Sequence, residues 1–261
     1  MTTPAASLSV ILLTHNEEKH IRDCIVSVRD FADELLVLDD SSTDRTVEIA
    51  RALGVRVEQR KLDNFPNQRN AAIDLVHSDW IFFIDADERA TPALGKEIQD
   101  TIRNSQFAGF WIPRRNIIFG KEIRFTGWSP DYQPRVLRKG CARFDPAREV
   151  HELVLWDGEA GYLREPLIHY NYETIAQFRR KQMIYTRYEA QVWFDEGKRA
   201  RKRGFIGQPL REFFRRYISL QGWRDGGHGL LLSGLMAYYA LMRQKLLWQM
   251  QNPSLGGKIE A

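Results

Sequence analysis

The sequence predicts an α/β fold with a mixed sheet, parallel in its N-terminal part, and a C-terminal helical extension. Three observations predict it. Short apolar runs rich in branched residues alternate with segments of helical period over the first hundred residues. Acidic, polar stretches follow those apolar runs directly. The charge also changes sign along the chain. Residues 1–176 carry 22 Lys and Arg against 28 Asp and Glu, a net −6, whereas residues 177–261 carry 16 against 6, a net +10.

The elements follow in order. Leu8–Thr14 is a compact apolar run, so a buried strand. Glu17–Arg29 places Ile21, Cys24, Ile25 and Val28 on one stripe, so a helix. Glu34–Leu38 is a second strand. Thr46–Leu53 is a short helix behind Asp44, stopped by Gly54. Val55–Gln59 is a third strand, Pro66–Val76 a helix and Trp80–Ile84 a fourth strand. Thr91 caps a helix that carries Pro92 at its first position and runs to about Asn104. Strand–helix repeats of this length give parallel pairing with right-handed crossovers. Between Phe107 and Tyr170 the pattern breaks into short β-like runs: Phe110–Pro113, Arg135–Arg138, Val150–Trp156 and Tyr162–Arg164. After Glu173 the chain turns helical and basic. The expected domains are 7–172, with halves 7–106 and 107–172, and an extension over 173–261.

Composition excludes several classes. With 261 residues, 43% hydrophobic and 28% charged, the chain is neither disordered nor collagen-like. Its two cysteines, Cys24 and Cys141, make no disulfide framework and fit a reducing cytoplasm. The N-terminus lacks a secretory pattern. The apolar run Gly229–Met242 has fourteen residues, short of the roughly 20 a membrane span needs, so it reads as buried or interfacial. No GxGxxG follows the first strand and no GxxxxGK[ST] occurs, which disfavours a dehydrogenase and a nucleoside-triphosphate hydrolase.

Parallel sheets bind ligands beyond the carboxyl ends of their strands. Asp85-Ala86-Asp87 leaves the fourth strand, and two carboxylates two residues apart can converge on a hard cation. Asp39 leaves the second strand where a base or ribose donor group could be accepted, and Asp44 reads as a helix cap. Asn67-Gln68-Arg69-Asn70 opens a helix, where Arg69 suits a diphosphate, Asp39 or a plain surface cap. Trp111 and Trp128 suit either sugar stacking or burial.

Together these segments resemble the inverting family 2 glycosyltransferases, which have the Rossmann-like GT-A nucleotide-diphospho-sugar transferase fold. The order matches: Thr14, Asn16 and Glu17; then Asp39, Ser42, Asp44 and Thr46; then Gln68–Asn70; then Asp85-Ala86-Asp87-Glu88. Downstream blocks at Gly127–Gln133, Arg135–Arg138, Val150-His151-Glu152 and Leu167–Tyr170 are similar to the branch of lipopolysaccharide-core β-glucosyltransferase-like proteins. One departure is local. The family commonly shows D-S-G-S after the second strand, and this chain has Asp39-Asp40-Ser41-Ser42.

The resemblance implies that Thr14, Glu17 and Asp39 contact the nucleoside, with Asp85 near the ribose; Arg69, at its helix start, is read as a nucleotide contact. It implies that Asp87, with His169, holds Mg²⁺ or Mn²⁺ on the donor diphosphate. An inverting transfer needs one carboxylate base, and the candidates are Glu152, Asp131 and Glu149. The expected reaction moves a sugar, such as a hexose from a UDP donor, to a hydroxyl of a cell-surface glycan or glycolipid. Donor hydrolysis on the same fold, or a non-catalytic scaffold, are the alternatives.

The basic tail interleaves Lys198–Arg203 with Phe205, Ile206, Leu210, Phe213, Phe214 and Tyr217. That mixture fits helices lying on an anionic leaflet, so the expected location is peripheral on the cytoplasmic membrane face. Packing on the catalytic domain or on a second copy of the chain is the other reading. No nucleic-acid motif accompanies the charge.

Overall fold

The computed structural model describes residues 6–148 and 153–252. The expected α/β class forms, with a mixed sheet that is parallel in its N-terminal part. Strand β1 (Leu8–Thr14) pairs in parallel with β2 (Glu34–Asp39) on one side and β4 (Trp80–Asp85) on the other. Strand β3 (Arg56–Gln59) extends the parallel part beyond β2. The register sets Thr14 opposite Asp39 and Leu13 opposite Asp85, so three carboxyl ends stop at one edge.

Alternation along the strands divides the core into two layers. Val10, Leu12, Phe82 and Ile84 face Ile21 and Ile25 of helix α1 (Ile21–Val28) and Leu94 and Ile98 of a later helix. Ile11, Leu36, Ile81 and Phe83 face the other way, against Ile73 and Phe144. Helix α2 (Thr46–Ala52) joins β2 to β3, and α3 (Phe65–Leu75) joins β3 to β4. Asn64 caps α3 by accepting the Asn67 N–H at 2.8 Å. The two-residue β5 (Glu88–Arg89) follows β4, and Thr91 caps α4 (Pro92–Ile102) by accepting the Leu94 N–H at 3.1 Å.

The remaining strands are mostly antiparallel. β6 (Gly109–Ile118) pairs with β7 (Lys121–Ile123) and β8 (Tyr132–Arg138), and β8 closes against β4 with Phe82 opposite Val136. β9 (Ala142–Phe144) and β10 (Val154–Trp156) form a separate ribbon. β11 (Ala160–Tyr162) lies parallel to β6, and β12 (Leu167–Tyr172) pairs antiparallel with β5.

Some boundaries differ from the periodicity. Helix α1 begins at Ile21, four residues later than expected. Asn16 has φ 55°, and the Glu17 carbonyl accepts the N–H groups of both His20 and Ile21. A turn therefore occupies the residues just before the apolar stripe. The strand around Phe110–Pro113 is longer than expected and runs through Pro113 to Ile118.

The chain divides into two compact units. One joins the residues up to Arg115 with Asp131–His169; the other joins Asn116–Pro130 with the residues from Tyr170 onward. The second unit contains α5 (Ile175–Asp195), α6 (Gly204–Phe214) and α7 (Gly227–Gln251). A π-helical turn, Arg215–Ser219, continues α6, and a 3-10 turn spans Gly222–Asp225. Its core gathers Ile118, Ile123, Tyr172, Phe178, Leu232 and Tyr239. The buried Asp225 carboxylate accepts the N–H groups of Arg124 and Phe125 and the Thr126 hydroxyl, tying the segment after β7 to the helices. Among the described residues no helix is long and apolar enough to cross a membrane. The run Gly229–Met242 lies within α7, where Leu232, Ser233, Tyr239 and Ala240 are buried.

Candidate active site

The site is built at the carboxyl ends of β1, β2 and β4, all within the first unit. Asp39 ends β2 and is fully buried. Its carboxylate accepts the Thr14 hydroxyl at 3.1 Å, the Ser42 N–H at 2.8 Å and the Ser42 hydroxyl at 2.5 Å. Those bonds fold residues 39–42 into a turn in which Ser41 takes φ 51°. This is where the family pattern has glycine, so the loop keeps a left-handed residue without one. Asn16 locks the turn from β1: its side-chain oxygen accepts the Thr43 N–H at 2.8 Å, and its own N–H donates to Ser42 at 2.8 Å. The Glu17 N–H donates to Thr46 at 2.7 Å.

Asp44 and Asp40 are structural in this geometry. Asp44 accepts the Thr46 N–H at the start of α2 and the Glu18 N–H. Its slight burial raises its pKa, but bonds from Thr46 and then Glu18 outweigh that and hold it below the usual range. Asp40 accepts the Leu62 N–H at 2.8 Å.

Beyond β4 the two acids of Asp85-Ala86-Asp87 do not continue an extended strand. The strand stops at Asp85, and Ala86 and Asp87 form a turn. The physical reason is Glu88, whose carboxylate reaches back to accept the Asp85 N–H at 3.0 Å. The two acids consequently have different partners. Asp85 is held by both terminal nitrogens of Arg135, with Arg69 3.6 Å away. Burial alone would raise the Asp85 carboxyl; the charges of Arg135 and Arg69 overcome this and hold it well below the carboxylate range. Asp87 instead faces His169, with Oδ2 3.6 Å from Nε2. The β5–β12 register explains the meeting, since it sets His169 directly opposite Glu88.

Arg69 does not reach Asp39. Its guanidinium lies over the rings of Phe83 and Phe144, 5.2 and 5.3 Å from their centroids, which aims it at Asp85. Its neighbours in that segment serve the scaffold. Gln68 is buried and bonds Arg60, and Asn70 exchanges two hydrogen bonds with the Phe144 backbone.

Sequence reasoning missed a second layer. Glu88 is fully buried and takes Arg135 at 2.6 Å and Arg114 at 3.4 Å. Arg114 also holds Asp131 at 2.8 Å, and Gln133 donates to the other Asp131 oxygen at 2.8 Å. The acid after Asp87 and the basic run Arg135–Arg138 were visible, but nothing local pairs residues 47 apart. The buried Nε of Arg135 finds no partner among the described residues. Trp111 stacks on Tyr162, and Trp128 packs on Tyr172 and Phe178. Glu149, His151 and Glu152 lie outside the described residues.

Among the described residues no group of three His, Cys, Asp or Glu side chains is gathered for a metal ion. A carboxylate and an imidazole side by side still fit a divalent cation that takes its other ligands from phosphate oxygens and water.

Comparison with known proteins identifies the family. The family model for glycosyl transferase family 2 matches residues 9–171. The chain is 27% identical over 258 residues to the lipopolysaccharide core biosynthesis glycosyltransferase LpsC of Rhizobium meliloti, covering 94% of this chain and 93% of that one. It is 27% identical over 252 residues to an uncharacterized glycosyltransferase of Rickettsia bellii, covering 90% and 84%. Among solved structures, S. aureus TarS 1–349 aligns over 95% of this chain and 92% of that one, with 14% identity and a TM-score of 0.47. With the family model spanning the strand-end loops and reaching through His169, the chain belongs to glycosyl transferase family 2.

Proposed function

We propose that this glycosyltransferase moves a hexose from a nucleoside diphosphate, such as UDP, to a hydroxyl of a cell-surface glycan or glycolipid, with inversion. The observation that carries the reading is the meeting of Asp87 and His169 beside the Asp85–Arg135–Glu88 network, beyond three strand ends. Thr14 and Asp39 shape the nucleoside end through the Ser42 turn, with Glu17 beside them. Asp85, with its charge fixed by Arg135, receives the ribose. Arg69 offers a cation to the diphosphate.

Asp87 and His169 would hold Mg²⁺ or Mn²⁺. When bound, that ion neutralises charge developing on the departing diphosphate. The acceptor hydroxyl must lose its proton to a carboxylate. Both Asp131 oxygens are already engaged, one by Arg114 at 2.8 Å and the other by Gln133 at 2.8 Å. Glu152 is therefore the preferred base, with Glu149 next. Similarity to LpsC, named for lipopolysaccharide core biosynthesis, supports a surface-glycan acceptor. The basic C-terminal segment supports a peripheral position on the inner membrane face, where such acceptors are assembled.

The test is a panel of nucleotide sugars assayed for Mn²⁺-dependent donor hydrolysis, together with thermal shift. A nucleoside diphosphate and Mn²⁺ together should stabilise the protein, neither alone should, and Asp87→Ala should abolish the joint effect. An equal shift in Asp87→Ala would remove Asp87 from the metal site. No response to any nucleotide would leave the non-catalytic scaffold.

A further inference from the structure

Helix α6 carries large apolar residues on its outward side as well as its inward one. It has no fully buried residue. Exposed positions recur in adjacent pairs every four residues through α6 and the π-helical turn. One member of each pair is large and apolar: Ile206 (70% exposed), Leu210 (52%), Phe214 (56%) and Ile218 (54%). The other row holds Gly207, Arg211, Arg215 and Ser219, and Lys202 and Arg203 are exposed just before the helix. A side chain at Gly207 would meet nothing within 4 Å, so this face is open.

The half-buried side mixes the two kinds: Phe205, which packs on Trp248, Phe213 and Tyr217 lie there with Gln208, Glu212 and Arg216. Arg216 donates to Glu212 at 2.6 Å and to the Thr126 carbonyl at 2.7 Å. A helix lying on a water-facing surface would keep its outward side polar. Gly204, Gly207 and Pro209 also make α6 a poor helix in isolation. The outward row Ile206, Leu210, Phe214 and Ile218 is thus left uncovered by the described residues.

We propose that this outward face lies in the surface of an acidic lipid bilayer, with Ile206, Leu210, Phe214 and Ile218 entering the acyl boundary. Lys202, Arg203, Arg211 and Arg215 then meet the phosphate headgroups. Charge complementarity selects this occupant. A second copy of the chain would bring like basic rows together around the apolar seam, whereas an acidic leaflet satisfies both rows at once. The assignment rests on the peripheral membrane position proposed above and names the surface responsible.

The experiment is flotation of the full chain with vesicles of phosphatidylcholine alone or with one third phosphatidylglycerol, plus light scattering without vesicles. The wild type should float only with the acidic vesicles and remain monomeric. Leu210→Glu combined with Phe214→Glu should lower the bound fraction at least about tenfold. Lys202→Glu with Arg211→Glu, which alters only exposed charges, should do the same. Unchanged far-UV circular dichroism confirms that the variants fold. If wild type and both variants float equally, α6 is not the docking face, although membrane attachment stands. If the wild type does not float, attachment itself fails and the assignment with it. A dimer split by Leu210→Glu would give the face to a second copy and overturn the proposal.

Discussion

Arg135 Nη2 lies 2.6 Å from Glu88 Oε1, with both side chains buried. The same nitrogen also bonds Asp85. One guanidinium thus neutralises two acids at the carboxyl end of β4. The arrangement requires Arg135 to stay protonated, and the charges of Asp85 and Glu88 ensure it, outweighing the opposing effect of burial.

Arg135→Ala should therefore cost more than a surface ion pair does. It strands Glu88 without its closest cation, and breaking a buried pair costs about 3–5 kcal/mol. Urea unfolding should show that loss. Glu88→Gln, which keeps an acceptor for the Asp85 N–H, should cost less than half as much. Equal losses would mean that the backbone bond, not the charge, dominates.

Glu152→Gln should retain nucleotide binding in thermal shift and lower the turnover number by about 10²–10⁴-fold. Asp131→Asn should behave differently, weakening folding through the Arg114 pair. Near-normal turnover in Glu152→Gln would pass the role of base to Glu149.

Ser41 carries a left-handed backbone without the glycine that usually occupies such a turn. Ser41→Val should destabilise the protein by about 1–2 kcal/mol, because a β-branched side chain is strained there. Ser41→Gly should change stability by less than about 0.5 kcal/mol, since relieved strain offsets added freedom in the unfolded chain. Chemical denaturation of the two variants measures both.

Glu212 gives the helices a pH dependence. Burial would raise its carboxyl, but hydrogen bonds from Arg215 and Arg216 pull it down to about 2. A carboxyl depressed in the folded state contributes stability that is complete above its unfolded value, near 4.5, and is lost as pH falls toward 2. The contribution is about 2 kcal/mol after solvent screening. Stability curves for the wild type and Glu212→Gln should converge across that window and separate above it.

The parallel half was legible because its signals are local. Branched apolar runs mark β1, β2 and β4, and Thr91-Pro92 and the stripe through Ile25 mark helices. Thr14, Asp39 and Asp85 could be placed because strand ends of a parallel sheet share an edge. Glu88, Arg114 and Arg135 escaped notice as one cluster, because they are joined only after β4, β6 and β8 align. The turn at Ala86–Asp87 was invisible for a related reason. It depends on where the Glu88 carboxylate points, which no alternation of polar and apolar residues encodes. The exposed apolar row of α6 was half visible: mixed basic and apolar residues were evident, but their sides were not.

Cys24 donates its thiol to the Asp85 carbonyl at 3.4 Å from within the packed α1 layer. Burial pushes that thiol well above its ordinary range, with Arg89 opposing only in part. A protonated, enclosed sulfur is a poor nucleophile, so alkylating reagents and mild oxidants will meet Cys141 first. The protein can accordingly be handled in air, or tagged at one sulfur, while the backbone beneath the turn after β4 stays chemically untouched.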